Sequence, residues 1–276
     1  MISYIIVSYN TVDLTIQTIR SIIENCVDYE VIVIDNDSCD GTVESLRKIF
    51  GNYTNIHVIN SGSNLGFSKA NNIGAKIAKG DFFVFVNPDT VFIDDIGTKL
   101  LQMYRSKFKN KEVILSPQIL NPDYTEQHCM NLFPVLSVRT LIGKMQKTIS
   151  YGNIRKSDWI TGVSLSMSRE TYEKLKGWNE IFDLYSEDLD ICYRLRKMGG
   201  RSYVIKNIKL IHYGNQSGKQ VYKTTYESER KKLNSLRVFY QQYYDDSKFL
   251  TYLRVIKILF KNTNIEHYIN EELRGS

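Results

Sequence analysis

The sequence predicts an α/β fold: a mostly parallel sheet with helices on both faces, followed by a C-terminal helical segment. Three observations predict it. Short apolar, β-branched runs ("SYIIVSY", "EVIVIDN", "NIHVIN", "DFFVFVN") recur along the first hundred residues. Segments with helical apolar spacing separate them, as crossover helices between parallel strands require. Each run also breaks off abruptly into polar residues at its C-terminal end.

Taken in order, "SYIIVSY" is the first strand, and "VDLTIQTIRSII" follows as a helix with Leu14, Ile16, Ile19, Ile22 and Ile23 along one face. "EVIVIDN" and "DGTVESLRKIF" form the second strand–helix pair, "NIHVIN" and "FSKANNIGAKIAK" the third, and "DFFVFVN" is the fourth strand. Three such units imply right-handed crossovers. "EVILSPQIL" reads as another strand, and 120–157 as irregular and polar. "DWITGVSLSMSRETYEKL" is a strand and then a helix. A further helix starts at about Glu187 and is closed by Gly199 and Gly200; "RSYVIKNIKLIHYG" is strand, and helices run from about residue 222.

Composition narrows the class. Of the 276 residues, 42% are hydrophobic and 24% charged, as in a globular domain. The net charge of +6 suits an anionic small molecule or membrane surface and does not call for nucleic acid. Cys26, Cys39, Cys129 and Cys192 are scattered, so they read as free thiols of a reducing compartment. The N-terminus lacks the pattern of a signal peptide, and no apolar run reaches the roughly 18 residues of a membrane span. A cytoplasmic location is the expectation.

The polar strand ends are Ser8, Tyr9 and Asn10; Asp35, Asn36 and Asp37; and Asn87 and Asp89. Ligands of open parallel sheets bind beyond the carboxyl ends of the strands, so three polar clusters at that edge mark a converging site. Asp37, Ser38 and Asp40 read as turn and cap residues, whereas Asp35 and Asp89 read as functional. Neither G-x-G-x-x-G nor a P-loop is present, so a nucleotide would be held by side chains and a metal. Asp89, projected by Pro88, is a hard oxygen ligand suited to a divalent cation on a diphosphate. In "YSEDLDICYRLR", Glu187 and Asp188 sit at a helix N-terminus. They are either an acidic first turn that stabilises its helix or a general base whose pKa is raised by its neighbour. Asp190 and Arg194 have ion-pair spacing. His212 lies where a metal or phosphate ligand can sit, although a lone histidine is more often structural; His57, His128 and His267 read as structural.

Together "IVSYN", "VIVIDNDSCDGT", "NLGFSKANNIGAKIAKGDFFVFVNPDT", "WITGVSLSMSRETYEKLKGWNEIF", "YSEDLDICYRLRKMG" and "HYGNQS" resemble, in this order, the family 2 glycosyltransferases of GT-A fold. Within that family they are most similar to the bacterial rhamnosyltransferase-type branch. The resemblance covers about residues 2–217. It implies a catalytic domain over 1–217, with a nucleotide-binding half (about 1–110) and an acceptor-binding half (about 111–217), and a helical extension over 218–276. Donor-binding residues implied are Ser8, Tyr9, Asn10, Asp35, Asn36, Asn64, Gly66, Asn72, Asn87 and Asp89. Acceptor-side residues are Trp159, Gly162 and Glu187, the catalytic base is Asp188, and the metal ligands are Asp89 and His212. Asn87 departs from the family's D-x-D motif, whose first carboxylate it replaces.

The activity implied is an inverting, metal-assisted transfer of one sugar from a dTDP-, UDP- or GDP-sugar to a glycan or lipid-linked acceptor. The cofactor would be Mn²⁺ or Mg²⁺. No Q-x-x-R-W motif of polymerising synthases occurs. A sugar-1-phosphate nucleotidyltransferase would need a Gly-rich basic loop after the first strand, which "VSYNTVDLT" lacks; a degenerate, non-catalytic binder is the remaining alternative. In "KFLTYLRVIKILFK", Phe249, Leu253, Ile256 and Phe260 form one stripe and Arg254, Lys257 and Lys261 another. This helix either packs on the domain or lies on a membrane surface or in a dimer, with Arg139, Lys144 and Lys147 as further basic contacts.

Overall fold

The computed structural model describes residues 1–134, 150–214, 225–245, 248, 249 and 251. Arg139, Lys144, Lys147, Leu253, Arg254, Ile256, Lys257, Phe260, Lys261 and His267 lie outside them.

The three predicted strand–helix units form as read. They are β1 (Ile2–Ser8), α1 (Val12–Asn25), β2 (Tyr29–Asp35), α2 (Thr42–Phe50), β3 (Ile56–Asn60) and α3 (Phe67–Ile77), leading into β4 (Phe82–Val86). Every residue of β1 and β4 is buried, as expected for strands covered on both faces. Two short elements not anticipated from the sequence follow: β5 (Thr90–Phe92) and α4 (Ile96–Met103), the latter capped by Asp95, whose side chain accepts the Thr98 N–H. The second half contributes β6 (Val113–Leu120), β7 (Met130–Asn131), β8 (Ser150–Tyr151), β9 (Ile154–Ser157), β10 (Trp159–Ile160), β11 (Ser164–Ser168), α5 (Arg169–Lys174), α6 (Glu187–Lys197), β12 (Arg201–His212) and α7 (Thr225–Tyr243). The stretch read as irregular therefore holds short strands, too brief for a period-2 signal.

Among the described residues the main sheet runs β3-β2-β1-β4-β11-β6-β12-β9-β8, with β5 pairing β12 beside this path. The β3-β2-β1-β4 half is parallel, while β11 runs antiparallel to both β4 and β6. That reversal brings the start of β11 to the carboxyl edge of β4. Pro117 lies inside β6 and has no N–H to give the ladder; the β12 register shifts at this point, between Ile205 and Lys209.

Two packing features bear on the site. The innermost face of α1 differs from the apolar stripe expected: Leu14 and Ile16 are half-buried, whereas Thr15, Thr18 and Ser21 are buried beside Ile19 and Ile22. The hydroxyls are needed because this face covers irregular backbone. Thr18 Oγ1 lies 2.8 Å from the Pro88 carbonyl and 2.7 Å from that of Thr90, and Ser21 Oγ accepts the Phe92 N–H. The second feature is α7, which lays Phe239 and Tyr240 against Phe182, Leu189 and Tyr193. Phe249 is buried on the same cluster, 5.5 Å between ring centroids from Tyr240, so this first position of the C-terminal stripe packs on the domain.

The four cysteines are unbridged. Burial pushes the Cys26 and Cys192 thiols up to about 12, which makes them inert core residues. No helix among the described residues is long and apolar enough to cross a membrane.

Candidate active site

The site assembles at the carboxyl edge of β1, β2 and β4. Ser8 and Asp35 are paired across β1 and β2, and Asn36 N–H donates to the Ser8 carbonyl. The Ser8 hydroxyl itself turns inward, 3.1 Å from Thr11 Oγ1 and 2.9 Å from Thr15 Oγ1, so its side chain fixes the start of α1. Asn10, in the left-handed region at φ 50°, accepts the Cys39 N–H and donates its own N–H to Ser38 Oγ. Asp40 accepts the Val12 and Thr42 N–H groups. Ser38 and Asp40 thus hold the two strand-end loops together, the turn and cap roles expected of them.

Asp35 is fully buried; Oδ2 accepts the Ser38 N–H, and Oδ1 has no hydrogen-bond partner among the described residues. A buried carboxylate oxygen without a donor is costly, and a hydroxyl or N–H of a ligand would satisfy it. Beside it, Asn36 fixes the loop that follows β3: its Nδ2 donates to Asn64 Oδ1 and its Oδ1 accepts the Leu65 N–H. Gly66, at φ 80°, closes this loop against the second half of the domain. A Cβ there would meet Asp183 Cα at 2.8 Å, and the next residue donates its N–H to the Asp183 carbonyl. Asn72 is placed differently from the other donor-side candidates. Its amide donates to the Trp178 carbonyl and Glu180, and accepts from the Tyr172 hydroxyl and the Trp178 N–H, which makes it a joint between α3 and the loop after α5.

The Asn87-Pro88-Asp89 turn leaves β4. Asn87 N–H donates to Val163, the residue ahead of β11, and Thr90 then pairs with His212 at the end of β12. Strand pairing therefore sets Asp89 beside His212, with His212 Nε2 3.2 Å from Asp89 Oδ1; both residues are buried. The other imidazole nitrogen, Nδ1, lies 2.7 Å from Gln127 Oε1. Neighbouring ligands of an octahedral Mg²⁺- or Mn²⁺-like ion are about 3 Å apart for bonds of about 2.1 Å, so this carboxylate–imidazole pair fits such a cation. No group of three or more His, Cys, Asp and Glu capable of holding a metal occurs among the described residues. A cation here would draw its remaining ligands from diphosphate and water oxygens.

Asp188 comes to the same edge through Gly162, whose N–H donates to Asp188 Oδ2 at 2.9 Å. Gly162 directly precedes Val163, so the carboxylate stands one strand away from the Asn87-Pro88-Asp89 turn. Leu189 N–H holds Oδ1 at 2.8 Å. Asp188 is half-buried, and burial raises its pKa to about 6 against the pull of those N–H groups. Glu187 is more deeply buried, with no hydrogen-bond partner for Oε2 among the described residues. Burial first and then the Asp188 charge push its pKa well above the usual carboxylate range. Tyr185 and Ser186, both left-handed at φ 70° and 64°, lead into this helix start. A half-buried carboxylate with its pKa raised to about 6 suits base chemistry near neutrality, and Glu187 beside it is held still further toward its protonated form.

Asp190 and Arg194 form the expected i, i+4 pair at 2.7 Å, a structural clamp whose Arg194 also donates to the Gly177 carbonyl. Trp159 donates its indole N–H to the Leu132 carbonyl and is half-buried. Sequence reasoning missed Thr18, Gln127 and Tyr243. Thr18 supports the Asn87–Thr90 turn, Gln127 fixes His212, and Tyr243 of α7 donates to Asp190. Only the polar interruption of an apolar helix face hinted at Thr18.

Comparison with known proteins bears on this geometry. Residues 3–128 match the family model "Glycosyl transferase family 2". The chain is 26% identical over 239 residues to rhamnosyltransferase WbbL of Escherichia coli K12, covering 80% of this chain and 87% of that protein. It is 24% identical over 207 residues to the N-acetylglucosaminyl-diphospho-decaprenol L-rhamnosyltransferase of Mycobacterium tuberculosis, covering 66% of each. Among solved structures, the mannosyltransferase PcManGT of Pyrobaculum calidifontis, in complex with GDP-Man and Mn²⁺, superposes with a TM-score of 0.57 at 16% identity, covering 99% of this chain and 68% of that one. That likeness speaks for the fold. The match to the glycosyl transferase family 2 model thus falls on residues 3–128, and the domain is built on the GT-A fold.

Proposed function

We propose that this glycosyltransferase moves one sugar from a nucleotide-diphosphate donor to a hydroxyl of a glycan or lipid-linked acceptor, with inversion, in the synthesis of a cell-surface polysaccharide. The observation that carries the reading is Asp188: a half-buried carboxylate, held by the Gly162 and Leu189 N–H groups, with its pKa raised to about 6. Such a group is ionised at neutral pH yet basic enough to accept a proton as the acceptor hydroxyl attacks. The acceptor oxygen bonds to the anomeric carbon as the bond from that carbon to the diphosphate breaks. The proton passes to Asp188 and the electron pair leaves with the nucleoside diphosphate. A single displacement inverts the centre.

Asp35, Asn36 and Asn64 line the donor side, with the unpartnered Asp35 Oδ1 aimed at a ribose hydroxyl or base N–H. Tyr9, Asn10, Gly66 and Asn87 belong to the loops around them; Trp159, Gly162 and Glu187 line the acceptor side. Asp89 and His212 would hold Mn²⁺ or Mg²⁺, which when bound supplies charge stabilisation to the departing diphosphate. The names of the two relatives favour rhamnose as the sugar and, from the mycobacterial one, a lipid-diphosphate-linked acceptor. One observation favours a second reading, a nucleotide binder without transferase activity: Asn87 stands where the D-x-D motif has a carboxylate.

The test is transfer from dTDP-rhamnose, UDP-sugars and GDP-sugars to a lipid-diphosphate N-acetylglucosamine acceptor, with the product anomer read by NMR. One donor class is expected to give an inverted product that Asp188→Asn abolishes. Retention of configuration, or no transfer from any donor, would overturn the inverting reading or favour the non-catalytic one, respectively.

A further inference from the structure

The turn between β6 and β7 carries a directed chain of hydrogen bonds that ends on His212. At its outer end Asp123 Oδ1 is an acceptor, so the Thr125 hydroxyl donates to it, at 2.5 Å. Thr125 Oγ1 then accepts from Asn121 Nδ2 at 2.9 Å. This fixes the Asn121 amide, whose Oδ1 accepts from Gln127 Nε2 at 3.2 Å. The Gln127 amide is fixed in turn, so its Oε1 faces His212 Nδ1 at 2.7 Å and takes that nitrogen's proton as a hydrogen bond. The direction of every bond follows from the carboxylate at the start. The backbone holds the turn as well: Gln127 N–H donates to the Ile119 carbonyl and Asn121 N–H to that of Thr125.

With the Nδ1 proton directed to Gln127, Nε2 is the nitrogen turned to Asp89 Oδ1, 3.2 Å away. That spacing is the one an imidazole nitrogen and a carboxylate oxygen take on one divalent cation. We infer that Gln127 is a positioning residue for the divalent cation: it selects the His212 tautomer, fixes the ring plane and so makes Nε2 a ligand alongside Asp89. The inference rests on the proposed metal role of Asp89 and His212. It adds that the 121–127 turn, remote in sequence from both, sets the affinity. Residues that orient a ligating imidazole typically contribute 10- to 100-fold in metal affinity.

The experiment measures Mn²⁺ affinity of the full chain by EPR in the presence of saturating nucleoside diphosphate, for wild type, Gln127→Leu, Gln127→Met and Gln127→Glu. Gln127→Leu and Gln127→Met are expected to weaken Mn²⁺ 10- to 100-fold. Gln127→Glu, which keeps the acceptor, is expected to restore it. Metal-free melting temperatures are read in parallel, so that loss of fold in one variant is recognised and the other decides. Wild-type binding with unchanged affinity in both apolar variants would overturn the inference alone. No Mn²⁺ binding by folded wild type would overturn the metal reading and the inference with it. Equal weakening in the Glu variant would assign the turn a merely structural part.

Discussion

Asp188→Asn should lower activity and flatten the fall of stability with pH, because the proposed base is a carboxylate that the fold bears at a cost. Its carboxyl titrates at 3.8 in the reference state and at about 6 in the native state. That difference corresponds to about 3 kcal/mol favouring the protonated form. The native pKa is raised, so this contribution to stability is fully present below pH 3.8 and lost as pH rises through about 6. Asparagine never ionises, but its NH2 faces one of the two backbone N–H groups that the carboxylate oxygens accept, a loss of about 1–3 kcal/mol at every pH. The variant should be less stable than wild type at pH 4 and regain up to about 3 kcal/mol relative to it by pH 8, read by urea denaturation at both. Transfer activity should fall by about 10²- to 10⁴-fold, the usual worth of a general base, and wild-type kcat/KM should rise with pH to a plateau above about 6. Full activity in the variant, or the same fall in stability with pH in both proteins, would refute the reasoning.

Other consequences concern the supports of the site. Gly66→Ala places a Cβ 2.8 Å from Asp183 Cα in a left-handed conformation. It should cost about 1–3 kcal/mol in urea denaturation and weaken nucleotide binding, since the loop of Asn64 must move. Tyr243→Phe removes the hydroxyl that α7 donates to Asp190; the expected loss is about 1–2 kcal/mol, with an undisturbed KM for the donor. A variant as stable as wild type would show that α7 docks through its aromatic cluster alone.

The first half of the domain was legible because its physics is local. β1, β2 and β4 are continuous apolar runs, and the polar residues that end them stand at the strand ends where the fold uses them. Asp35 and Asp89 could be picked out for that reason. The other half was harder to read. β7, β8 and β10 are two residues long and exist only through their partners. Asp188 looked like either a helix-capping acid or a base until the Gly162 N–H and the depth of its setting distinguished it from Asp190, which its own Arg194 neutralises. Gln127 carries no mark in the sequence, since its role depends on β12 returning beside β6 about 85 residues later. Asn72 illustrates the converse. Its position in "FSKANN" suggested the nucleotide, while its amide is taken up by Trp178, Glu180 and Tyr172.

The central claim is that the carboxyl edge of the sheet holds a nucleoside diphosphate through a cation on Asp89 and His212. Thermal unfolding of the protein with UDP, GDP and TDP, each with and without Mn²⁺, tests it most directly, with Asp89→Asn alongside. At a hundred times Kd a ligand adds about 2.7 kcal/mol to the native state, several degrees in Tm. One nucleotide should give such a shift with Mn²⁺, much less without it, and neither in Asp89→Asn. A shift of the same size with and without the metal, or in the Asp89 variant, would contradict the claim.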